Sequence, residues 1–262
     1  TMTNDYLMEV MWLYNPSTEE ERRFLETYDS NKYDKPSVTA DIVIFTISDD
    51  NELSLLLIKR GGYPYKYKWA IPGGFVGMDE SVDEAALREL EEETSVTGIS
   101  VEQFGTFGEV DRDPRMRIIS VAYMAFVPKS MLTYRAGDDA ADAQLFKIKI
   151  DLDGIAFENR DHSFTEKDLA FDHAAIIKTA IKRLRNRIDY TEDAFKFLKD
   201  DQNFTIYELK RVYETVKGIK LDTGNFRRSF FRDYVDTGKI RDTGKKQKNS
   251  GHKEAAVYQK VR

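Results

Sequence analysis

Apolar residues along the chain change their period several times, and each change marks an element. Val38–Ile47 and Leu53–Lys59 are short, β-branched and aliphatic runs separated by Asp49-Asp50-Asn51, which predicts two antiparallel strands around a turn. Further strands are expected near Ser100–Glu109, Arg117–Val127 and Gln144–Lys149. Helical spacing appears over about Val82–Thr94. It returns over about Glu166–Arg187, where Leu169, Ile176, Ile177, Ala180, Ile181 and Leu184 fall on one face. Mixed strands with helices on their faces predict an α/β sandwich. Ahead of it, Ser17-Thr18-Glu19-Glu20 reads as a capping box opening a short helix to about Tyr28, and Asp34-Lys35-Pro36 ends that lead-in.

Past Asp189 the texture changes again. Glu192–Lys199 predicts a short helix, Phe204-Thr205 a brief strand, and Tyr207–Lys217 and Asn225–Val235 two helices stopped near Gly218 and Gly238. Ile240-Arg241 and Ala256–Lys260 are expected to pair as a hairpin around the basic tip Lys245–Gly251. The expected organisation is therefore a lead-in at 1–36, an α/β domain at 37–187 and a small helical domain with a hairpin at 188–262.

Composition narrows the chemistry. A chain of 262 residues is comfortable for two domains. With no cysteine there is no disulfide, thiolate site or cysteine nucleophile, and three scattered histidines make a histidine-based zinc site a poor expectation. Any metal should be a hard cation on carboxylates. No run approaches the roughly 18 apolar residues of a membrane span, and the first residues lack the pattern of a secretory signal, so a cytoplasmic protein is expected. The net charge of −6 is uneven: residues 203–262 carry 15 Lys+Arg against 7 Asp+Glu, or +8, leaving −14 on the rest. An acidic body and a basic tail imply two surfaces with different partners.

Gly74 to Val96 carries the strongest signal. Gly74, Glu80, Arg88, Glu89, Leu90, Glu92, Glu93 and Val96 fit Gly-x5-Glu-x7-Arg-Glu-U-x-Glu-Glu-x-Gly-U, where U is aliphatic, with Ser95 in place of the last glycine. On a helix, Glu89, Glu92 and Glu93 project within an arc of about 100°, beside an arc of Ala86, Leu87 and Leu90 that can face a core. Three crowded carboxylates repel one another unless a cation lies among them. Oxygen-only ligands suit Mg²⁺ or Mn²⁺ bridging to phosphates. Glu80 is placed to pair with Arg88, and the Gly73-Gly74 pair permits a tight turn that offers a carbonyl to the metal. A solvated glutamate-rich face is the ordinary alternative for an isolated Glu-x-x-Glu-Glu; the full spacing argues against it.

This segment resembles the Nudix box, and residues 37–187 resemble a Nudix fold. The resemblance implies Glu92 and Glu93 as principal metal ligands, Glu89 as a metal-bound residue and general base, Gly73 as carbonyl ligand, and Arg88 as the residue orienting Glu89. It implies hydrolysis of a nucleoside diphosphate linked to another moiety. Arg112, Arg115 and Arg117 sit where a bidentate grip on phosphate is expected; Arg60 and Lys59 end a strand near the box. Trp69 and Tyr65 are candidates for stacking on a base, with a core anchor the equal alternative for Trp69. Gly61–Val76, Arg112–Arg115, Ala136–Ala141 and Phe171–His173 together resemble the ADP-ribose branch, which contains ADP-ribose pyrophosphatases and ADP-ribose-sensing regulators of NAD metabolism. Asp138 and Asp139 offer a further acid, or simply a turn; His173 reads as packed or capping.

The basic tail resembles the winged-helix domain of those regulators. Phe226, Phe230 and Phe231 are expected to face inward, leaving Arg227, Arg228 and Arg232 toward a DNA groove, with Lys245, Lys246 and Lys248 at the hairpin meeting phosphates. A dimerisation module is the alternative for this domain, and the resemblance implies a homodimer. The reading is thus a Mg²⁺-dependent hydrolase giving AMP and ribose 5-phosphate from ADP-ribose, or an ADP-ribose-sensing transcriptional regulator. Hydrolysis of a damaged nucleoside triphosphate is a third option that the arginine motif does not favour.

Overall fold

The computed structural model describes residues 15–133, 140–152, 154–248 and 254–261. The chain divides into a unit of residues Thr1–Pro36 and a larger unit, Ser37–Arg262. The first contains helix α1 (Glu19–Thr27), capped by the Thr18 side chain accepting from Glu21 N–H. None of its helical residues is buried.

The larger unit is built on a mixed sheet of nine strands. Strands β1 (Ser37–Ile47), β2 (Leu53–Arg60), β5 (Glu102–Phe107), β6 (Ile118–Phe126), β7 (Ala140–Asp151), β8 (Gly154–Glu158) and β9 (Ser163–Thr165) lie in the order β5-β6-β1-β2-β7-β8-β9. The short strands β3 (Trp69–Ala70) and β4 (Gly73–Phe75) pair with β2 and β1 respectively. Only β1 and β6 among the named pairs run parallel. Strands of this kind are buried on both faces, so β1 reads as a continuous apolar run. Alternate residues still part company: Ala40, Ile42 and Ile44 pack with helix α2 (Val82–Thr94) through Ala85, Ala86 and Leu90. Val43 and Phe45 join a second cluster with Ile176, Ile177, Ala180, Ile181 and Leu184 of helix α3 (His173–Arg187). Leu87, expected on the core-facing arc of α2, is instead 43 % exposed, and Ala85 takes its place.

That second cluster runs on without a break into the C-terminal elements. Phe195, Phe197, Phe204, Leu209, Val212, Phe230 and Tyr258 belong to the same cluster as α3. These elements are helices α4 (Ile206–Lys217) and α5 (Thr223–Phe230), the latter continued by a wider turn over Phe231–Val235, and the hairpin β10 (Ile240–Lys248) with β11 (Glu254–Lys260). Phe230 is buried, with Phe226 and Phe231 half-buried beside it.

Several expectations needed correction. The helix expected from Glu166 begins at His173: Glu166–Asp168 is only a single tight turn, and Ala170 N–H donates to Trp69 O at 2.8 Å, which holds the segment extended against β3. Glu192–Lys199 forms a 3₁₀ turn over Asp193–Phe197, and Phe204 makes one isolated bridge to Tyr258 where a brief strand was expected. Strands β8 and β9 were missed: they are short and carry Asn, Arg, Asp and His between them. Asp138 and Asp139 lie outside the described residues, as does the hairpin tip beyond Lys248. Among the described residues no helix is long and apolar enough to cross a membrane.

Candidate functional site

The carboxylate helix is fixed before any side chain meets a ligand. Ser81 and Glu84 form a reciprocal capping box, with Ser81 N–H donating to Glu84 Oε2 at 2.7 Å. The buried Tyr123 of β6 donates its hydroxyl to Asp83 in the first helical turn. At the far end Ser95, which replaces the last glycine of the motif, adopts the left-handed cap itself (φ 55°, ψ 20°) and donates its N–H to Glu91 O at 2.7 Å. The helix therefore ends where a glycine would end it.

In front of the helix, β4 lies on β1 with Gly73 opposite Asp41 and Gly74 opposite Ala40. Neither glycine leaves room for a side chain without movement: of backbone at Gly73, of the Glu89 carboxylate at Gly74. A Cβ on Gly73 (φ +155°) would lie 2.5 Å from Ala40 O, and one on Gly74 would lie 2.1 Å from Glu89 Oε1. Arg88 organises the acids: it grips Glu80 through Nε at 3.1 Å and Nη2 at 2.9 Å, and donates from Nη1 to Glu89 at 2.7 Å and Glu92 at 3.2 Å. That grip, with a hydrogen bond from Gly77 N–H, pulls the Glu80 carboxyl down to about 2. Glu89 goes the other way; burial raises its proton affinity against the opposing pull of Arg88.

Gly73, Arg88, Glu89, Glu92 and Glu93 line one cleft of about 660 Å³, together with Arg60, Arg112 and Arg115. This is within the usual range for a small-molecule site. The three acids do not close into a ready chelate: among the described residues no group of three acidic or imidazole side chains is already placed to hold a metal ion. The Arg88 guanidinium stands between Glu89 and Glu92 instead. In kind the donor set fits a hard divalent cation: oxygen donors only, two of them buried carboxylates.

The arginines do not share one role. Arg112 is buried and holds Asp172 through Nε at 2.9 Å and Nη2 at 2.7 Å, with Asp41 3.7 Å away. Arg115 pairs with Asp113 at 2.8 Å but keeps 39 % of its side chain exposed. Arg117 does not line the cleft; it donates to Glu109 O at 2.9 Å. Trp69 resolves to the core alternative. It is 6 % exposed, stacked parallel to Phe164 and edge-on to Phe146, and absent from the cleft lining. Lys59 lies over the Trp69 ring at 5.7 Å, and Tyr65 packs edge-on against Phe171 at 4.8 Å.

Sequence reading missed Asp41, Phe75 and Phe171 as cleft residues. Asp41 left a trace, as the one acid within the apolar run of β1. His173, read as a packed or capping residue, is buried, and its Nδ1 accepts from Ile71 N–H at 3.1 Å. Desolvation lowers its pKa from 6.5. Folding thus favours neutral His173, while the unfolded chain takes up the proton below about pH 6.5. Stability from this residue is present above that pH and is lost as the pH falls below it. Urea unfolding between pH 8 and pH 5 should show that loss, and His173→Asn should flatten it; an unchanged pH profile would remove His173 as its source.

In the C-terminal module Arg227, Arg228, Arg232, Lys245, Lys246 and Lys248 are all exposed. Arg227 stacks on Phe231 at 5.3 Å. Arg232 lies one turn past Arg228, in the wider turn that continues α5, and its guanidinium pairs with Asp233 at 2.6 Å.

A carboxylate helix on a mixed sheet behind a Gly-Gly turn defines a Nudix domain, and the NUDIX domain model matches residues 36–160. The NrtR DNA-binding winged helix domain model matches residues 194–259. The chain belongs to the Nudix family, in the branch where an NrtR-type winged helix follows the Nudix domain. It is 31 % identical over 240 residues to the ADPR responsive transcriptional repressor NtrR of Acinetobacter baylyi, covering 91 % of this chain and 87 % of that protein. An ADP-ribose pyrophosphatase of Methanocaldococcus jannaschii is 36 % identical over 60 % of this chain and 82 % of its own length. Among solved structures, a MutT/nudix family protein from Enterococcus faecalis aligns over 100 % of both chains at 27 % identity with a TM-score of 0.75. Shewanella oneidensis NrtR complexed with a 27mer DNA aligns over 86 % of this chain and 93 % of its own at 28 % identity, TM-score 0.66.

Proposed function

We propose that the Nudix domain hydrolyses ADP-ribose to AMP and ribose 5-phosphate in a Mg²⁺- or Mn²⁺-dependent reaction. Residues 37–187 carry this activity, 188–262 form the DNA-binding part and 1–36 are a lead-in. The observation that carries the reading is the intact set of Glu89, Glu92 and Glu93 in one cleft with Arg60, Arg112 and Arg115. Glu89, Glu92, Glu93 and the Gly73 carbonyl would hold the cation, whose charge when bound offsets that of the diphosphate and acidifies water. Arg88 holds Glu89 in place through its grip on Glu80. Glu89, held by Arg88, accepts the proton as water attacks one phosphorus and the anhydride P–O bond breaks, the two phosphates leaving as AMP and ribose 5-phosphate. Arg60 and Arg115 offset phosphate charge.

A second reading is favoured by the likeness over 91 % of the chain to an ADP-ribose-responsive repressor and by the exposed Arg227, Arg228, Arg232, Lys245, Lys246 and Lys248. It makes the protein a transcriptional regulator acting as a homodimer in the cytoplasm, its affinity for double-stranded DNA set by ADP-ribose. The two readings are compatible, with a cleavable effector. AMP release from ADP-ribose with Mg²⁺ is the deciding measurement. Metal-dependent turnover that falls to background in Glu92→Gln supports the hydrolase. ADP-ribose binding without turnover, coupled to a change in DNA affinity, leaves the regulator alone.

A further inference from the structure

Phe75, Phe171 and the exposed Tyr63 are the large rings of a cleft rich in charged side chains, and the first two are linked by arginines. Phe75 follows the Gly-Gly turn on β4 and is 46 % exposed. Phe171 immediately precedes Asp172 and α3 and sits at φ +50°, a left-handed conformation that a bulky side chain adopts only where its surroundings impose it. The two rings are joined through cations. The Arg115 guanidinium lies 5.6 Å from the Phe75 ring and 5.8 Å from the Phe171 ring, and the Arg60 guanidinium lies 4.8 Å from Phe171. All four residues line the same cleft. They make a ladder in the order Phe75, Arg115, Phe171, Arg60, with an exposed ring at one end and a cation at the other.

Core packing does not account for this arrangement. Neither ring belongs to the two large hydrophobic clusters; Phe171 only borders a small one of Ile58, Ala70, Ala143 and Ala170. An exposed ring stacked on a guanidinium is a surface that a second flat group can extend, because every nucleobase has a π-face. The charge pattern sets the direction. Arg112 is buried between Asp172 and Asp41, whereas Arg115, though paired with Asp113, keeps 39 % of its side chain exposed, so an incoming anion meets Arg115 before Arg112.

We propose that this ladder is the base-binding element of the cleft, which separates nucleotides from bare pyrophosphate, with the nucleobase of the ligand stacking on Phe75 and its diphosphate facing Arg115 and Arg60. The proposal rests on reading the cleft as a nucleoside-diphosphate site, and it transfers the stacking role from Trp69 and Tyr65, neither of which lines the cleft, to Phe75.

Equilibrium binding of ADP-ribose and of inorganic pyrophosphate to the full chain tests it. Phe75→Ala should weaken ADP-ribose by about tenfold or more, leave pyrophosphate unchanged, and be rescued by Phe75→Tyr. Arg115→Ala should weaken both ligands. Wild-type binding of ADP-ribose with no effect of Phe75→Ala overturns the ladder and leaves the proposed function standing. Should the wild type bind ADP, GDP, CDP or UDP and not ADP-ribose, the proposed substrate fails, and the same variants measured with that nucleotide decide the ladder. Binding of pyrophosphate with none of these nucleotides overturns both.

Discussion

Gly73→Ala and Gly74→Ala, adjacent and chemically identical changes, should fail in opposite ways. At Gly73 the new methyl meets backbone: Ala40 O at 2.5 Å and Asp41 Cα at 2.8 Å, at φ +155°. Neither atom can move without shifting β1, which is hydrogen-bonded to β2, β4 and β6. Overpacking and backbone strain then add, and a loss of about 3 kcal/mol or more is expected, or about 10 °C in Tm for a unit of this size. At Gly74 the methyl meets the end of a side chain, Glu89 Oε1 at 2.1 Å. A carboxylate can swing away at little cost to the fold, but in doing so it gives up the 2.7 Å hydrogen bond from Arg88 and its place in the cleft. Displacement of a reacting group by about 1 Å costs on the order of a hundredfold in rate. Gly74→Ala should therefore keep its Tm within a few degrees and lose about a hundredfold or more in turnover of ADP-ribose. Calorimetric melting beside steady-state kinetics separates the two outcomes. A Gly74→Ala protein with normal turnover would remove Glu89 from the chemistry.

Arg112→Ala carries the second large effect, on stability. The Arg112 side chain is 4 % exposed, Asp41 9 % and Asp172 22 %. Removing the shared guanidinium leaves two acids in a poorly solvated pocket, one of which also accepts from Ser120 and Thr39. Breaking a buried ion pair from one side costs about 3–5 kcal/mol, because the remaining charge keeps its desolvation penalty. The urea midpoint should drop accordingly. The Arg112→Ala, Asp172→Ala double variant should lose less than the sum of the two single variants, since one uncompensated charge is gone. Additive losses would mean that the pair is not coupled as its bidentate geometry implies. A phosphate-gripping Arg112 predicts something else: little change in stability and a loss confined to ligand affinity.

The sequence by itself determined the elements whose signal is local. The helix over Val82–Thr94 appears at the expected bounds because its cap residues Ser81 and Glu84 and its apolar spacing agree. The spacing of Gly74, Glu80, Arg88 and the three glutamates already placed Glu80 on Arg88, since an arginine on the first turns of a helix reaches back to the loop before it. Period changes along the chain likewise separated the sheet from the C-terminal helices and hairpin, because strand and helix periods differ in any context.

Tertiary structure decided what each long side chain does. Arg112, Arg115 and Arg117 look equivalent within one short segment, yet one is buried between two acids from β1 and the start of α3, one faces the cleft, and one binds its own loop. Trp69 had two open roles until β9 brought Phe164 against it. Helix α3 starts seven residues late because Trp69 O takes the N–H of Ala170, a competitor 101 positions away. In each case the deciding partner is remote in sequence, and periodicity and spacing carry information only about neighbours on the same element.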